Sequence, residues 1–301
     1  MSAAPAPSGG AVLCVGRLYC DLVFTGVPRL PSLGTEVFAE GLSLHAGGGP
    51  TITAACLAAL GRPVGLAATL PVAPFDTPMR AELDRLGVSD ALCDVAPEGS
   101  DPQLTAVMVS GGERAFLTRA PGAALPRLSA GDLDGFAHVH IGELKSLMEN
   151  PWLVPLARGA GLTISLDCGW EDVLPDGAAD LIASVDLFLP NRAESFRLAE
   201  AGLGDSPAML TVVKAGADGA FAHQFDNVLH VPAEPVAVVD TTGAGDAFNG
   251  GFLHRWLEKA PLEECLALGN ICGARAVSAV GGTAGLAGLG DRLAGKRATT
   301  G

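Results

Sequence analysis

Positive charge is scarce in this chain: 19 lysines and arginines stand against 33 aspartates and glutamates, a net charge of −14. No basic run is available to displace counterions, which argues against nucleic acid and anionic membranes as partners. Aromatic residues are few as well, 5% of the total with a single Tyr. No CxxC pair occurs among the seven cysteines (14, 20, 56, 93, 168, 265 and 272), and several lie in apolar runs such as "AVLCVG". That scatter speaks against a disulfide framework or a cysteine metal site and for reduced core thiols in a cytoplasmic protein. No apolar stretch approaches the roughly 18 residues that a membrane-spanning helix needs. The mean hydropathy of +0.36 comes from Ala and Gly instead. The start, "MSAAPAPSGG", lacks the basic and apolar regions of a signal peptide and reads as a loose tail over 1–10.

What is present suits one large α/β domain. The 301 residues are 49% hydrophobic, without internal repeats, enough to bury a substantial core. Strand-like and helix-like segments alternate through most of the chain, which predicts a three-layer α/β/α arrangement around a mostly parallel sheet. "AVLCVG" and "PVGLAATL" read as buried strands. "GPTITAACLAALG" reads as a helix, with Pro50 near its start and Gly61 beyond its end. The segment 103–119 is the clearest hairpin, its turn "SGGE" supplying positive φ. Together with strands in 17–46 it interrupts the rhythm and predicts a small projecting sheet. The domain is expected over 11–290, with a second tail over 291–301.

"VPAEPVAVVDTTGAGDAFNGGF" carries the most chemistry. Its apolar half reads as a strand ending at Val239. Gly243 and Gly245 permit unusual backbone angles, and a helix begins near Asp246. The free amides of 243–246 then converge at a positive helix end, a hole for an anion. Asp246 shares that field, which predicts a carboxylate kept ionised, able to take a proton from an attacking hydroxyl. The bland alternative is a helix start with Gly for turning and Asp for capping. Walker A fails because no GK[ST] follows, and GxGxxG fails because Phe248 stands where Gly is required.

"DTTGAGDAFNGGF" resembles the C-terminal signature of the PfkB carbohydrate kinases, the ribokinase-like superfamily. "AGGGPTITAACLAALG" resembles their N-terminal Gly-Gly signature, "LFLPNRAESFRLA" their NxxE segment and "VVKAGADGAFAH" the strand and turn before the last motif. The likeness extends over about 11–285. It implies a ribokinase-like fold with a β lid formed from about 17–46 and 103–119, ATP and Mg²⁺ as cofactors, and pairing of two chains through the lid. It further implies Asp246 as base and Gly243, Ala244 and Gly245 as the anion hole. Asn191 and Glu194 would organise Mg²⁺ through water, although an Asn cap followed by an early Glu suits any helix start. Asp21, Gly47 and Gly48 would meet the acceptor, with Ile52 at the position of a sugar-binding Asn. Lys214, Gly216, Gly219 and Asn270 would border the nucleotide, and Asp240 and Thr242 would lie near a monovalent cation such as K⁺.

Three departures fall on the acceptor side: Ile52, "PVAPFD" without an acidic pair, and "DCGW" at 167–170. They predict retained phosphoryl transfer to an altered acceptor, a sugar or sugar derivative. A nucleoside kinase and a catalytically weak sensor are the alternatives. His138 and His140 share a strand face but lack a third metal ligand nearby in sequence, so structural or substrate-contacting roles are expected. Trp152, Trp170 and Trp256 read as packing residues, with substrate contact the alternative for Trp170, which follows a strand end.

Overall fold

A computed structural model describes residues 9–111, 113–169, 174–279 and 281–290. The first third contains β1 (Ala11–Val15), β2 (Tyr19–Thr25), β3 (Gly41–Gly47), α1 (Gly49–Ala59), β4 (Val64–Ala67), β5 (Thr69–Leu70), α2 (Asp76–Leu86) and β6 (Asp94–Val95). Next come β7 (Leu104–Ser110), β8 (Glu113–Arg119), β9 (Phe136–Ile141), α3 (Leu144–Glu149), α4 (Leu153–Gly159), β10 (Thr163–Asp167) and α5 (Ala178–Ala183). The last part holds β11 (Leu187–Leu189), α6 (Arg192–Glu200), β12 (Leu210–Lys214), β13 (Ala220–Gln224), β14 (Asn227–Val231), α7 (Ala244–Trp256) and α8 (Leu262–Ala276).

The main sheet runs β14-β13-β12-β11-β10-β9-β1-β4. Every pairing from β4 through β12 is parallel, and β13 and β14 close one edge as an antiparallel hairpin. Period-two alternation sorts its side chains. Val12, Cys14, Leu66 and Val212 pack with α1, α2, α7 and α8, whereas Leu13, Val15, Val139, Ile164 and Phe188 pack with α3 to α6. The expected three-layer α/β/α architecture is therefore present. A second sheet, β3-β2-β7-β8, rises from the loop between β1 and α1 and from 104–119. β2 and β7 run parallel at its centre, with antiparallel strands on either side.

Two readings of the sequence need correction. The apolar run 232–239 is not a strand but an irregular strap. Pro232 and Pro235 remove ladder donors, and the edge position is taken by "NVLHV" of β14. The expected strand "TEVFAEGLSLHA" is regular only from Gly41 onwards. Residues 1–8, Trp170 and 291–301 lie outside the described residues. No helix among those described is long and apolar enough to cross a membrane.

Candidate active site

The parallel strands end beneath the second sheet, and a glycine path crosses the space between. Gly47 ends β3, Gly48 has φ 96°, and Gly49 opens α1. A Cβ at Gly47 would run into Asp21 Oδ2, and one at Gly49 would lie 2.7 Å from Asp246 Oδ1. Bare backbone thus separates two carboxyl groups, one from β2 and one from α7. Burial pushes the Asp21 carboxyl up to about 6, against the opposing pull of the Thr105 hydroxyl, His45 and Arg114.

The turn into α7 has Gly243 in the left-handed region at φ 72°, which a β-carbon would disfavour. Among the described residues the amides of Gly243 and Gly245 have no protein acceptor, and that of Ala244 reaches only the Thr241 carbonyl at 3.4 Å. Ile52, on α1, packs beneath this turn: Cβ atoms added at Gly243 and Gly282 would lie 2.9 and 2.6 Å from its Cδ1. It buttresses the anion loop. Asp246 itself is anchored by Thr53 Oγ1, which donates to its backbone carbonyl at 3.0 Å.

Burial rather than the helix field dominates the proton affinity of Asp246. Burial, and then the neighbouring Asp167 carboxylate, push Asp246 up to about 7, outweighing Lys214 and its own backbone amide. The helix field is worth a fraction of a pKa unit up to about one unit, less than desolvation costs here.

Lys214, at the end of β12, faces inward. Its Nζ donates to Asp167 Oδ2 at 2.7 Å and to Asn249 Oδ1 at 3.2 Å, and a Cβ at Gly245 would lie 3.3 Å from it. Burial opposes its charge, but the Asp167 and Glu194 carboxylates hold its ammonium above the usual range. A lysine therefore does stand beside the anion loop, supplied by a neighbouring strand.

Asn191 and Glu194 form a reciprocal cap on α6: Glu194 N donates to Asn191 Oδ1 at 2.9 Å and Asn191 N to Glu194 Oε2 at 2.6 Å. Burial and then Asp167 push Glu194 up to about 7. From the anion loop an apolar cleft of about 520 Å³ extends past Gly216, Gly219, Val236, Val238 and Phe248 to Asn270. The Asn270 amide donates to the carbonyls of Val231 and Pro232, tying the strap to α8.

Asp240 and Thr242, expected near a monovalent cation, both bond to a protein side chain. Arg114 of β8 pairs with Asp240 Oδ2 and donates to Thr242 Oγ1 at 2.7 Å. No cluster of three or more metal-ligating side chains occurs among the described residues.

A sequence profile of the pfkB family carbohydrate kinases matches residues 11–287. The chain belongs to the pfkB family of carbohydrate kinases. An ATP-dependent ribose-1-phosphate kinase of Halopiger xanaduensis is 28% identical over 87% of this chain and 90% of its own length. Other relatives, an uncharacterized sugar kinase of Archaeoglobus fulgidus among them, are matched over less than half of their length. Ribokinase from Thermotoga maritima shares the fold at a TM-score of 0.81 and 18% identity, covering 95% of this chain and 99% of that one. Arabidopsis thaliana ribokinase, complexed with ribose and ATP, gives 0.77 and 24%, covering 92% and 95%.

In this pfkB kinase the structure adds residues that the motifs did not flag. Glu143, just beyond β9, is close enough to raise the Asp246 proton affinity. Its own carboxyl is pushed up by burial, offset by Ser146 and Arg17. Asp167, known from the sequence only as part of a departure, organises both Lys214 and Asn249. Glu143 and Asp167 each follow or end a parallel strand, a positional signal that could have found them. Arg114 had no comparable signal. His138 and His140 are buried under α7, bonded to Ser165 Oγ at 2.7 and 2.8 Å.

Proposed function

We propose that this chain is an ATP-dependent kinase transferring the γ-phosphoryl group to a hydroxyl of a sugar or sugar derivative. The observation that carries this reading is Asp246, a carboxyl recessed at the start of a helix where the Gly243 and Gly245 amides have no acceptor among the described residues. An acceptor lying over the Gly47–Gly49 backbone, hydrogen-bonded by Asp21, would present its hydroxyl to Asp246. Asp246 takes the hydroxyl proton as the oxygen attacks the γ-phosphorus, and the bond from that phosphorus to the β-phosphate bridging oxygen breaks, releasing ADP. Charge on the migrating group is met by the amides of Gly243, Ala244 and Gly245, with Lys214 alongside. A carboxyl pushed up to about 7 is a stronger base than an ordinary Asp and still substantially ionised near neutral pH.

The apolar cleft beside Gly216, Gly219 and Asn270 suits the adenine ring. Magnesium, when bound with ATP, would neutralise phosphate charge. Three carboxyl groups, Asp167, Glu194 and Asp246, act on the Lys214 ammonium, with Arg197 as a further cation near Glu194. That surplus of negative charge fits a divalent ion held through water by Asn191 and Glu194.

The acceptor side is acidic, with Asp21, Glu143 and Asp246, while Arg17 is committed to Glu149 at 2.7 Å. A sugar phosphate, the acceptor named for the Halopiger relative, would be repelled, and an uncharged polyol or nucleoside would not. ADP release measured against free sugars, nucleosides and ribose 1-phosphate tests this, with ATP binding followed by calorimetry. Turnover of a neutral acceptor is expected. Tight acceptor binding without ADP release would overturn the kinase reading in favour of a sensor.

The second sheet supports a homodimer. Its outward rows are Leu44–Leu22–Ala106–Leu117 and Leu42–Phe24–Met108–Ala115, with Leu42, Leu44 and Leu117 exposed by 56%, 41% and 71%. An apolar sheet face of this extent calls for a cover, and a second copy presents the same rows.

A further inference from the structure

We propose that Arg114 is this protein's built-in cation for the loop leading into the anion hole, so that nucleotide binding needs no added K⁺. The inference rests on the kinase reading for its meaning but on geometry for its argument. Arg114 comes from β8, beside the hairpin tip, and faces the same side of the second sheet as Asp21 and Thr105. Its side chain is 10% exposed and that of Asp240 is 2% exposed. One guanidinium nitrogen takes Thr242 Oγ1 at 2.7 Å and another takes Asp240 Oδ2. Asp240 Oδ2 also accepts the Gly281 amide, and Oδ1 accepts the Thr242 amide at 3.0 Å.

Both oxygens of the carboxylate are therefore in use, and the Thr242 hydroxyl oxygen accepts from the same guanidinium. A potassium ion needs a shell of several oxygens to replace its water. Here it would have to evict a planar fork matched to a carboxylate and a hydroxyl, leaving a buried guanidinium without its partner. The donor set does not fit a resident monovalent metal; it already contains its positive charge. Because that charge arrives on the hairpin, seating of the second sheet and ordering of residues 240–243 become one event.

The test compares wild type with Arg114→Ala and Arg114→Lys. Binding of a non-hydrolysable ATP analogue and the melting midpoint are measured in potassium, sodium and tetramethylammonium chloride at equal ionic strength and fixed Mg²⁺. Wild type is expected to vary less than twofold in affinity among the salts. Arg114→Ala is expected to bind at least tenfold more weakly in tetramethylammonium and to recover part of the loss in potassium. A wild-type affinity rising fivefold or more in potassium overturns the proposal, as does an Arg114→Ala protein matching wild type in every salt. Should Arg114→Ala fail to melt cooperatively, the wild-type salt series and Arg114→Lys, expected to fall between the two, decide. These readouts require no turnover, so a chain inactive on every acceptor would fail the kinase reading and still answer this one.

Discussion

Asp246 is held where water would serve its charge better, and both its chemistry and its cost follow. Neutralising it as Asp246→Asn removes the proposed base, so kcat is expected to fall by about 10²–10⁴-fold. ATP affinity, which draws on the cleft and the amides, should stay within a few-fold of wild type in calorimetry. The same change should raise stability. A carboxyl pushed up to about 7 when folded, against an ordinary value of about 4 when unfolded, makes the native state hold the extra proton between those values. Stability linked to Asp246 is present at low pH and lost as pH rises through the folded value. Asp246→Asn should therefore melt several degrees above wild type at pH 8 and match it near pH 4; an inactive variant that melts lower at pH 8 would count against the burial argument. Glu194 differs in being tied into a cap by two bonds. Glu194→Gln keeps the cap geometry and removes the charge, so it should raise the Mg²⁺ concentration for half-maximal rate by about tenfold, measured by metal titration.

At the scale of elements, the second sheet carries opposite chemistry on its two faces. The inward face bears Asp21, Thr105 and Arg114, and the outward face is leucine, phenylalanine and methionine. Charging the outward rows with Leu44→Lys and Leu117→Lys together is expected to convert a dimer into a monomer by sedimentation velocity while leaving ATP binding unchanged. A wild-type chain that sediments as a monomer refutes the dimer. The same sheet marks where sequence reading works. Its 103–119 hairpin was legible because Gly beside the turn and flanking β-branched residues are local signals. The GAGD loop was legible because glycine, helix start and carboxylate are contiguous. The strap 232–239 was misread because valine-rich composition imitates a strand, and only the two prolines argue otherwise. Arg114 was invisible, since its partner Asp240 is 126 positions away and a lone arginine after a turn is ordinary. Ile52 stands in the sequence where the resemblance places a sugar-binding Asn, and its packing against Gly243 and Gly282 is a long-range contact that no motif carries.

At the scale of the whole molecule, buried titratable groups set the pH at which the fold is firmest. On one side stand Asp246 and Glu194, pushed up to about 7, and Asp21, pushed up to about 6. Each binds a proton more readily folded than unfolded, so each adds stability as pH falls from 8 toward 6. The net charge of −14 acts in the same direction, because titrating carboxylates relieves self-repulsion. Against them stand His138 and His140, buried beneath α7. Burial holds His138 well below its ordinary value and His140 at about 4. Their Nδ1 and Nε2 contacts with Thr163 and Ser165 suit neutral rings. The unfolded chain takes up these two protons as pH drops through about 6.5, so the histidine contribution is present above that value and lost below it. The two sets cross on the acid side of neutrality. The melting midpoint is therefore expected to rise from pH 8 to a maximum near pH 6 and to fall again by pH 4.5. His140→Asn should blunt the fall by removing one of the two uptake sites. A midpoint that climbs steadily from pH 6 to pH 8.5 would mean that the carboxyl groups around Lys214 are not buried as described, and with them the tuned base at Asp246 would be lost.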